Sequence, residues 1–137
     1  MTDRLTLSQR RRCMQANRPQ GTRLEKLVMK ALTSAGYRYS RHVSRLRGRP
    51  DIAFLEHRIA IFIDGDFWHG FRYPAWKHTL PAYWQTKIER NRRRDRRNIR
   101  ALRRSGWRVL RVWEHQAYDD VDAVVRRIGM LVRKKPK

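Results

Sequence analysis

A chain of 137 residues with 34 Lys and Arg against 12 Asp and Glu carries a formal charge of +22. That length suits one domain with a real core, and the cationic excess calls for a polyanionic partner, nucleic acid first and a membrane surface only distantly. The single cysteine, Cys13, excludes an intramolecular disulfide and a cysteine-rich zinc cluster, and no apolar run approaches the length of a bilayer span.

Residues 1–21 form a basic, mostly polar arm around Arg10-Arg11-Arg12, with Leu7 to Ala16 as a short helix candidate and Pro19 and Gly21 as a break. Such an arm suits a phosphate backbone and suits a solvated terminus equally well. With a polar N-terminus and no signal-peptide pattern, a cytoplasmic location is expected. Thr22 and Glu25 then make a capping-box pattern, followed by Leu24, Leu27, Val28, Ala31 and Leu32 at helical spacing and by Gly36 as a stop. Glu25 therefore has an ordinary role available, reaching back to cap its own helix. Tyr37 to Val43 alternates enough for a strand, and Leu46 to Pro50 reads as a turn whose Arg45, Arg47 and Arg49 can meet phosphate.

Two short apolar runs come next, Ile52 to Leu55 and Ile59 to Ile63, separated by Glu56-His57-Arg58. They are rich in β-formers and too short for helices, so an antiparallel hairpin is expected. Pairing in that sense brings Asp51, at the start of one strand, near Asp64, at the end of the other. Asp66 and His69 follow at once. Each Asp alone suits a strand-end turn. Taken with His69, they suggest a divalent-metal site able to prepare a water.

Phe71 to Leu80 is irregular and aromatic, and a long basic helix runs from Pro81 to about Ser105. One face of it carries Trp84, Ile88, Asn91, Asp95, Ile99 and Leu102, so two polar residues interrupt an apolar stripe. A buried carboxylate at 95 needs a partner, either Arg92 or Arg96 beside it or His69 across the site. The remaining surface is crowded with arginine, including Arg93, Arg94 and Arg97, and a single-sign face on this scale calls for a counter-anion. After Gly106, Trp107 to Trp113 reads as a strand, which makes a strand–helix–strand crossover with parallel pairing. Asp119 to Val132 closes the chain as an amphipathic helix, with a basic tail over 133–137. The fold class expected is α/β, a small mixed central sheet flanked by helices.

Taken together, Thr22 with Glu25, Gly48-Arg49-Pro50-Asp51, Gly65 with Phe67-Trp68-His69, Tyr83-Trp84 with Lys87 and Asn91, Arg94-Asp95-Arg96-Arg97, and Gly106-Trp107 through Trp113-Glu114 resemble the very-short-patch-repair (Vsr) endonucleases. These belong to the PD-(D/E)xK, restriction-endonuclease-like fold. The resemblance implies a single nuclease domain over 1–137 that nicks double-stranded DNA beside a T:G mismatch, with Mg²⁺ as cofactor and Mn²⁺ as a substitute. It implies catalytic roles for Glu25, Asp51, His69 and Asp95: Asp51 and the main-chain carbonyl of Ile63 are the implied metal contacts, Glu25 reaches the ion's water shell, His69 is the base and Asp95 its acidic partner. Asp64, the extra carboxylate beside Asp51, is expected to join the catalytic set and the metal contacts. Phe67, Trp68 and Trp84 match aromatics that enter the base stack, while Arg49, Arg93, Arg94 and Arg97 are the expected backbone contacts. For Trp84, core packing is an equal reading.

The chain also departs from the family pattern. Asp64 stands where the family has histidine, and Ile63 replaces a threonine. The positions resembling the structural zinc ligands are Asp66, Phe71, Tyr73 and His115, and Phe and Tyr are unsuitable donors, so no structural zinc is expected and Asp66 is expected to pair with His115. A monomer is expected. Two alternatives stay open: a non-catalytic basic DNA-binding module, and a Vsr-like nuclease of a mobile element or defence system without mismatch specificity.

Overall fold

The computed structural model describes residues 23–134. The basic arm, the Leu7 to Ala16 helix candidate, Thr22 of the capping box and the end of the tail lie outside the described residues. The elements are α1 (Arg23–Ser34), β1 (Ser40–Arg41), β2 (Ile52–Phe54), β3 (Ile59–Asp64), α2 (Tyr73–Trp76), α3 (Ala82–Arg104), β4 (Arg108–Trp113), α4 (Glu114–Asp119) and α5 (Val121–Arg133).

The four strands form one sheet in the order β1-β2-β3-β4. The hairpin is antiparallel, with Ile52 opposite Ile61 and Phe54 opposite Ile59. The crossover through α3 returns β4 parallel to β3, with Phe62 beside Arg111 and Asp64 beside Trp113. The fold is thus an α/β sandwich around a mixed sheet, as the alternation of apolar runs predicts.

Side chains alternate across a sheet, so the register sorts them into two faces. Ile52, Phe54, Ile59, Ile61, Ile63 and Val112 share one face and pack into a buried core with α1 and α5. Leu24, Val28, Met29 and Leu32 of α1, with Val124 and Ile128 of α5, supply its other half. The opposite face carries the small Ala53 and Ala60 and then Phe62, Asp64 and Arg111, which leaves room and polar anchors for α3. Gly48, at φ +78, lets the preceding loop press onto α3: a Cβ there would stand 3.0 Å from the Asn98 Cβ and 3.2 Å from the Phe62 ring.

Four local expectations change. The strand over Tyr37 to Val43 is confined to Ser40–Arg41, because His42 turns into the left-handed region at φ 47. Leu55 leaves the first hairpin strand to start a 3-10 turn. The irregular stretch after Gly70 contains α2 and a 3-10 turn, Lys77–Thr79. The last helix is preceded by α4, and α5 starts only at Val121, where Asp120 caps it by accepting from the Ala123 N–H at 3.1 Å. No described helix is long and apolar enough to cross a membrane.

Candidate active site

The first turn of α1, the loop before β2, the end of β3 and α3 line an open cavity of about 660 Å³, among whose side chains are Glu25, Asp51, Asp64, His69, Asp95 and Arg111. Every candidate catalytic residue read from the sequence therefore faces one space. Arg49 and Arg94 line it as well.

Asp51 precedes β2 and its Oδ2 accepts the Ile63 N–H at 2.7 Å, so the hairpin ladder fixes the carboxylate directly. Glu25, in the first turn of α1, is buried at 5% exposure rather than reaching into solvent. Ligand atoms of Glu25, His42 and Asp51 lie within 4.8 Å of one another. His42 escaped the sequence reading. It reaches this group because its backbone adopts φ 47 and its N–H is held by the Asp51 carbonyl at 2.9 Å.

Burial raises the Asp51 carboxyl to about 8; the Ile63 N–H opposes this, and the neighbouring Glu25 and Asp64 add to it. Two carboxyl groups crowded beside an imidazole are poorly solvated as anions, and the set is well suited to a hard divalent cation, which would relieve the repulsion between the carboxylates.

His69 sits after the β3 end, where Asn91 of α3 donates to the Trp68 carbonyl at 3.1 Å and ties this segment to the helix. Its Nδ1 lies 2.7 Å from Asp95 Oδ2, and its Nε2 lies 3.5 Å from Asp64 Oδ1. Both polar interruptions of the α3 stripe thus hold the same loop. Asp95 meets His69 and also Arg111, whose Nη2 donates to it at 3.1 Å, while Arg111 Nε donates to Asp64 Oδ2 at 2.7 Å. Arg111, too, was missed from sequence.

Burial works against protonating His69, but the Asp95 hydrogen bond and the charges of Asp64 and Asp95 outweigh it and raise its pKa above the usual 6.5, with Arg111 opposing them. A histidine raised in this way stabilises the fold fully below its unfolded value, and that contribution fades as pH rises through the folded value. Asp95→Asn is therefore expected to move the His69 titration midpoint, read by NMR on metal-free protein, to lower pH. A midpoint that stayed in place would show that Asp95 does not support the imidazolium.

The aromatic candidates divide. Phe67 is only 3% exposed and stacks on Trp76 with ring centroids 5.6 Å apart, inside a second core with Tyr73, Leu80 and Ile88. Trp68 and Trp84 are half-buried at its edge, 5.7 Å apart, with the Lys87 ammonium over both rings. Arg93, Arg94 and Arg97 are exposed on α3. At the positions that resemble zinc ligands, His115 Nδ1 lies 3.0 Å from Asp66 Oδ1, Phe71 packs on the His115 ring at 4.3 Å, and Tyr73 donates to Glu89 at 2.9 Å.

A family profile described as DNA mismatch endonuclease Vsr matches residues 2–74. The type II nicking enzyme V.NmeDIP of Neisseria meningitidis is 37% identical over 97% of this chain and 92% of its own length. The type II nicking enzyme V.XorIIP of Xanthomonas oryzae is 45% identical over 87% of this chain and 89% of its own. The DNA mismatch endonuclease Vsr of Escherichia coli is 41% identical over 74% of this chain and 66% of its own.

Proposed function

The chain belongs to the Vsr family of DNA endonucleases, and from that premise we propose that it is a Mg²⁺-dependent enzyme that nicks duplex DNA at or beside a T:G mismatch. The observation that carries this reading is the meeting of Glu25, Asp51, Asp64, His69 and Asp95 in one cavity of a chain with a net charge of +22. Carboxylates beside a polyanion repel it, so a module that only bound DNA would gain nothing from them.

The donor set suits Mg²⁺, and Mn²⁺ as a substitute. The Asp51 carboxylate and the Ile63 carbonyl would hold the ion, and Glu25 and His42 would order its waters. When bound, the ion supplies stabilisation for charge developing on the phosphate and on the leaving 3′ oxygen.

The chain's own residues do the rest. His69 accepts a proton at Nε2 from the attacking water, whose oxygen bonds to phosphorus as the bond to the 3′ oxygen breaks, leaving a 5′ phosphate. Asp95 takes a hydrogen bond from Nδ1, which fixes the tautomer and leaves Nε2 as the acceptor. Arg49, Arg93, Arg94 and Arg97 hold the backbone through their guanidinium groups. Trp68 and Trp84 present ring faces at the site's edge, and Phe67 joins them only once its packing on Trp76 is opened. Unstacking a base step costs about a few kcal/mol and least at a mismatch, which is a physical source of selectivity. A monomer acting in the cytoplasm fits a single nick.

End-labelled duplexes with and without one T:G pair, incubated with Mg²⁺ or with EDTA, test this. One strand should be cut, only with metal, and faster in the mismatched duplex. Equal metal-dependent cutting of both duplexes would favour a nuclease of a mobile element or defence system. Metal-independent binding with no cutting of any duplex would favour the binding module.

A further inference from the structure

We propose that Arg111 is a positioning residue that withholds the Asp64 carboxylate from the metal-binding group and holds it short of hydrogen-bond contact with the proton-accepting edge of His69. The inference rests on the nuclease reading above. It assigns Asp64 to the arginine instead of to the ion.

The guanidinium is gripped from three sides. Its Nε donates to Asp64 Oδ2 at 2.7 Å, its Nη2 donates to Asp95 Oδ2 at 3.1 Å, and its carbon lies 4.4 Å from the centre of the Trp113 ring. Asp64 and Asp95 stand on opposite nitrogens of His69, at 3.5 and 2.7 Å. The four side chains therefore close a ring, His69–Asp95–Arg111–Asp64, in which Asp64 is the weakest contact to the imidazole. Asp64 has only 6% of its side chain exposed, so water cannot neutralise it and its charge needs a fixed partner. Arginine remains charged throughout the working pH range and binds with planar, directed N–H groups, so it can fix a carboxylate's direction as well as its charge.

Strand register explains why Arg111 takes the place. Arg111 lies beside Phe62 on the parallel β3–β4 pair, so its side chain rises on the face of α3, two residues along the strand from the level of Asp64. Asp95 comes down to it from α3. Asp64 is near enough for its charge to act on Asp51, yet the ligand atoms that cluster within 4.8 Å are those of Glu25, His42 and Asp51. Without Arg111, a carboxylate adjacent in sequence to Ile63 would be free to turn toward that cluster or to close the 3.5 Å gap to Nε2, where the attacking water must give up its proton.

The test uses the full chain and reads metal binding separately from cleavage, with Mn²⁺ alone as probe by electron paramagnetic resonance. Asp64→Asn should change Mn²⁺ affinity by less than about threefold, whereas Asp51→Asn should lower it at least about tenfold, the scale on which a metal-site carboxylate matters. Arg111→Met should tighten Mn²⁺ binding and lower kcat for nicking about tenfold to a hundredfold with KM little changed, because misplacing a reacting group by about 1 Å costs that much. Adding Asp64→Asn to Arg111→Met should return Mn²⁺ affinity to the wild-type value. A loss of Mn²⁺ affinity in Asp64→Asn as large as that in Asp51→Asn would make Asp64 a ligand and overturn the proposal. A raised KM with kcat preserved in Arg111→Met would make Arg111 a phosphate contact and overturn it equally. Since Asp64→Asn is isosteric, it keeps the test decisive should Arg111→Met fold poorly. Absence of cutting by the unaltered protein would reject the nuclease reading, while the Mn²⁺ comparison still stands on its own.

Discussion

Replacing His69 with alanine should lower the nicking rate by about 10²- to 10⁴-fold, the range that a positioned general base supplies, and leave duplex affinity close to that of the unaltered chain. The separation follows from geometry. His69 has both ring nitrogens turned to carboxylates, Asp95 and Asp64, and lies within the cavity. The cations expected to hold DNA are other side chains: Arg93 and Arg97 are exposed on α3, and Arg49 and Arg94 share the cavity lining from the loop before β2 and from α3. Removing the imidazole therefore takes away the acceptor for the water's proton without removing a backbone contact. The fold should tolerate it, since Asp95 and Asp64 retain Arg111. Electrophoretic mobility shift in EDTA measures binding, and single-turnover nicking in Mg²⁺ measures chemistry. A variant that cuts at the full rate would remove His69 from the mechanism. A variant that loses binding and cutting together would make it a DNA contact.

How far the sequence discloses this site depends on which residues obey a period. The hairpin is visible because Ile52 to Leu55 and Ile59 to Ile63 are bounded apolar runs, and its pairing alone brings Asp51 to the β3 end. Asp95 is visible because it breaks a helical stripe, and a polar residue on an apolar face must be answered by something. His42 and Arg111 obey no such rule. His42 reaches Glu25 and Asp51 through a left-handed backbone turn that hydropathy does not encode. Arg111 reads as the outward residue of an alternating strand until α3 is laid over that face. One signal was available there: a strand paired in parallel is normally buried on both sides, so a charge between Leu110 and Val112 asks for a buried partner. Phe67 is a different case, lining the cavity while its ring is packed away. Its place beside Trp68 and His69 suggests a group turned toward the ligand. The short helix α2, hidden in a stretch that reads as irregular, brings Trp76 over it and buries it. The helix α4 was missed for a related reason. Its start is set by the Gln116 side chain accepting the Trp113 N–H at 3.1 Å, a tie that no hydrophobic period announces.

Asp51→Asn should abolish metal-dependent nicking and yet make the metal-free protein more resistant to heat above neutral pH. The two effects have one origin. Burial, with Glu25 and Asp64 nearby, raises the Asp51 carboxyl from 3.8 to about 8. Between those values the unfolded chain has released the proton and the folded chain still binds it. The unfolded state then binds fewer protons, so stability falls as pH rises across that window. Asparagine has no proton to release, and its side-chain oxygen can still accept the Ile63 N–H. The variant should therefore match the unaltered chain near pH 4 and exceed it near pH 8 by at least about 3 °C in Tm, roughly 1 kcal/mol for a chain of this size. In the unaltered chain a divalent ion would do what the substitution does, by making the ionised form favourable, so Mg²⁺ binding at pH 7 should release a proton. Calorimetry in two buffers of different ionisation enthalpy reads that proton, and it should vanish with Asp51→Asn. Full nicking activity in the variant would remove Asp51 from the metal set. An unchanged Tm at pH 8 with no proton release would mean that this carboxylate is ionised in the folded protein without an ion to hold it.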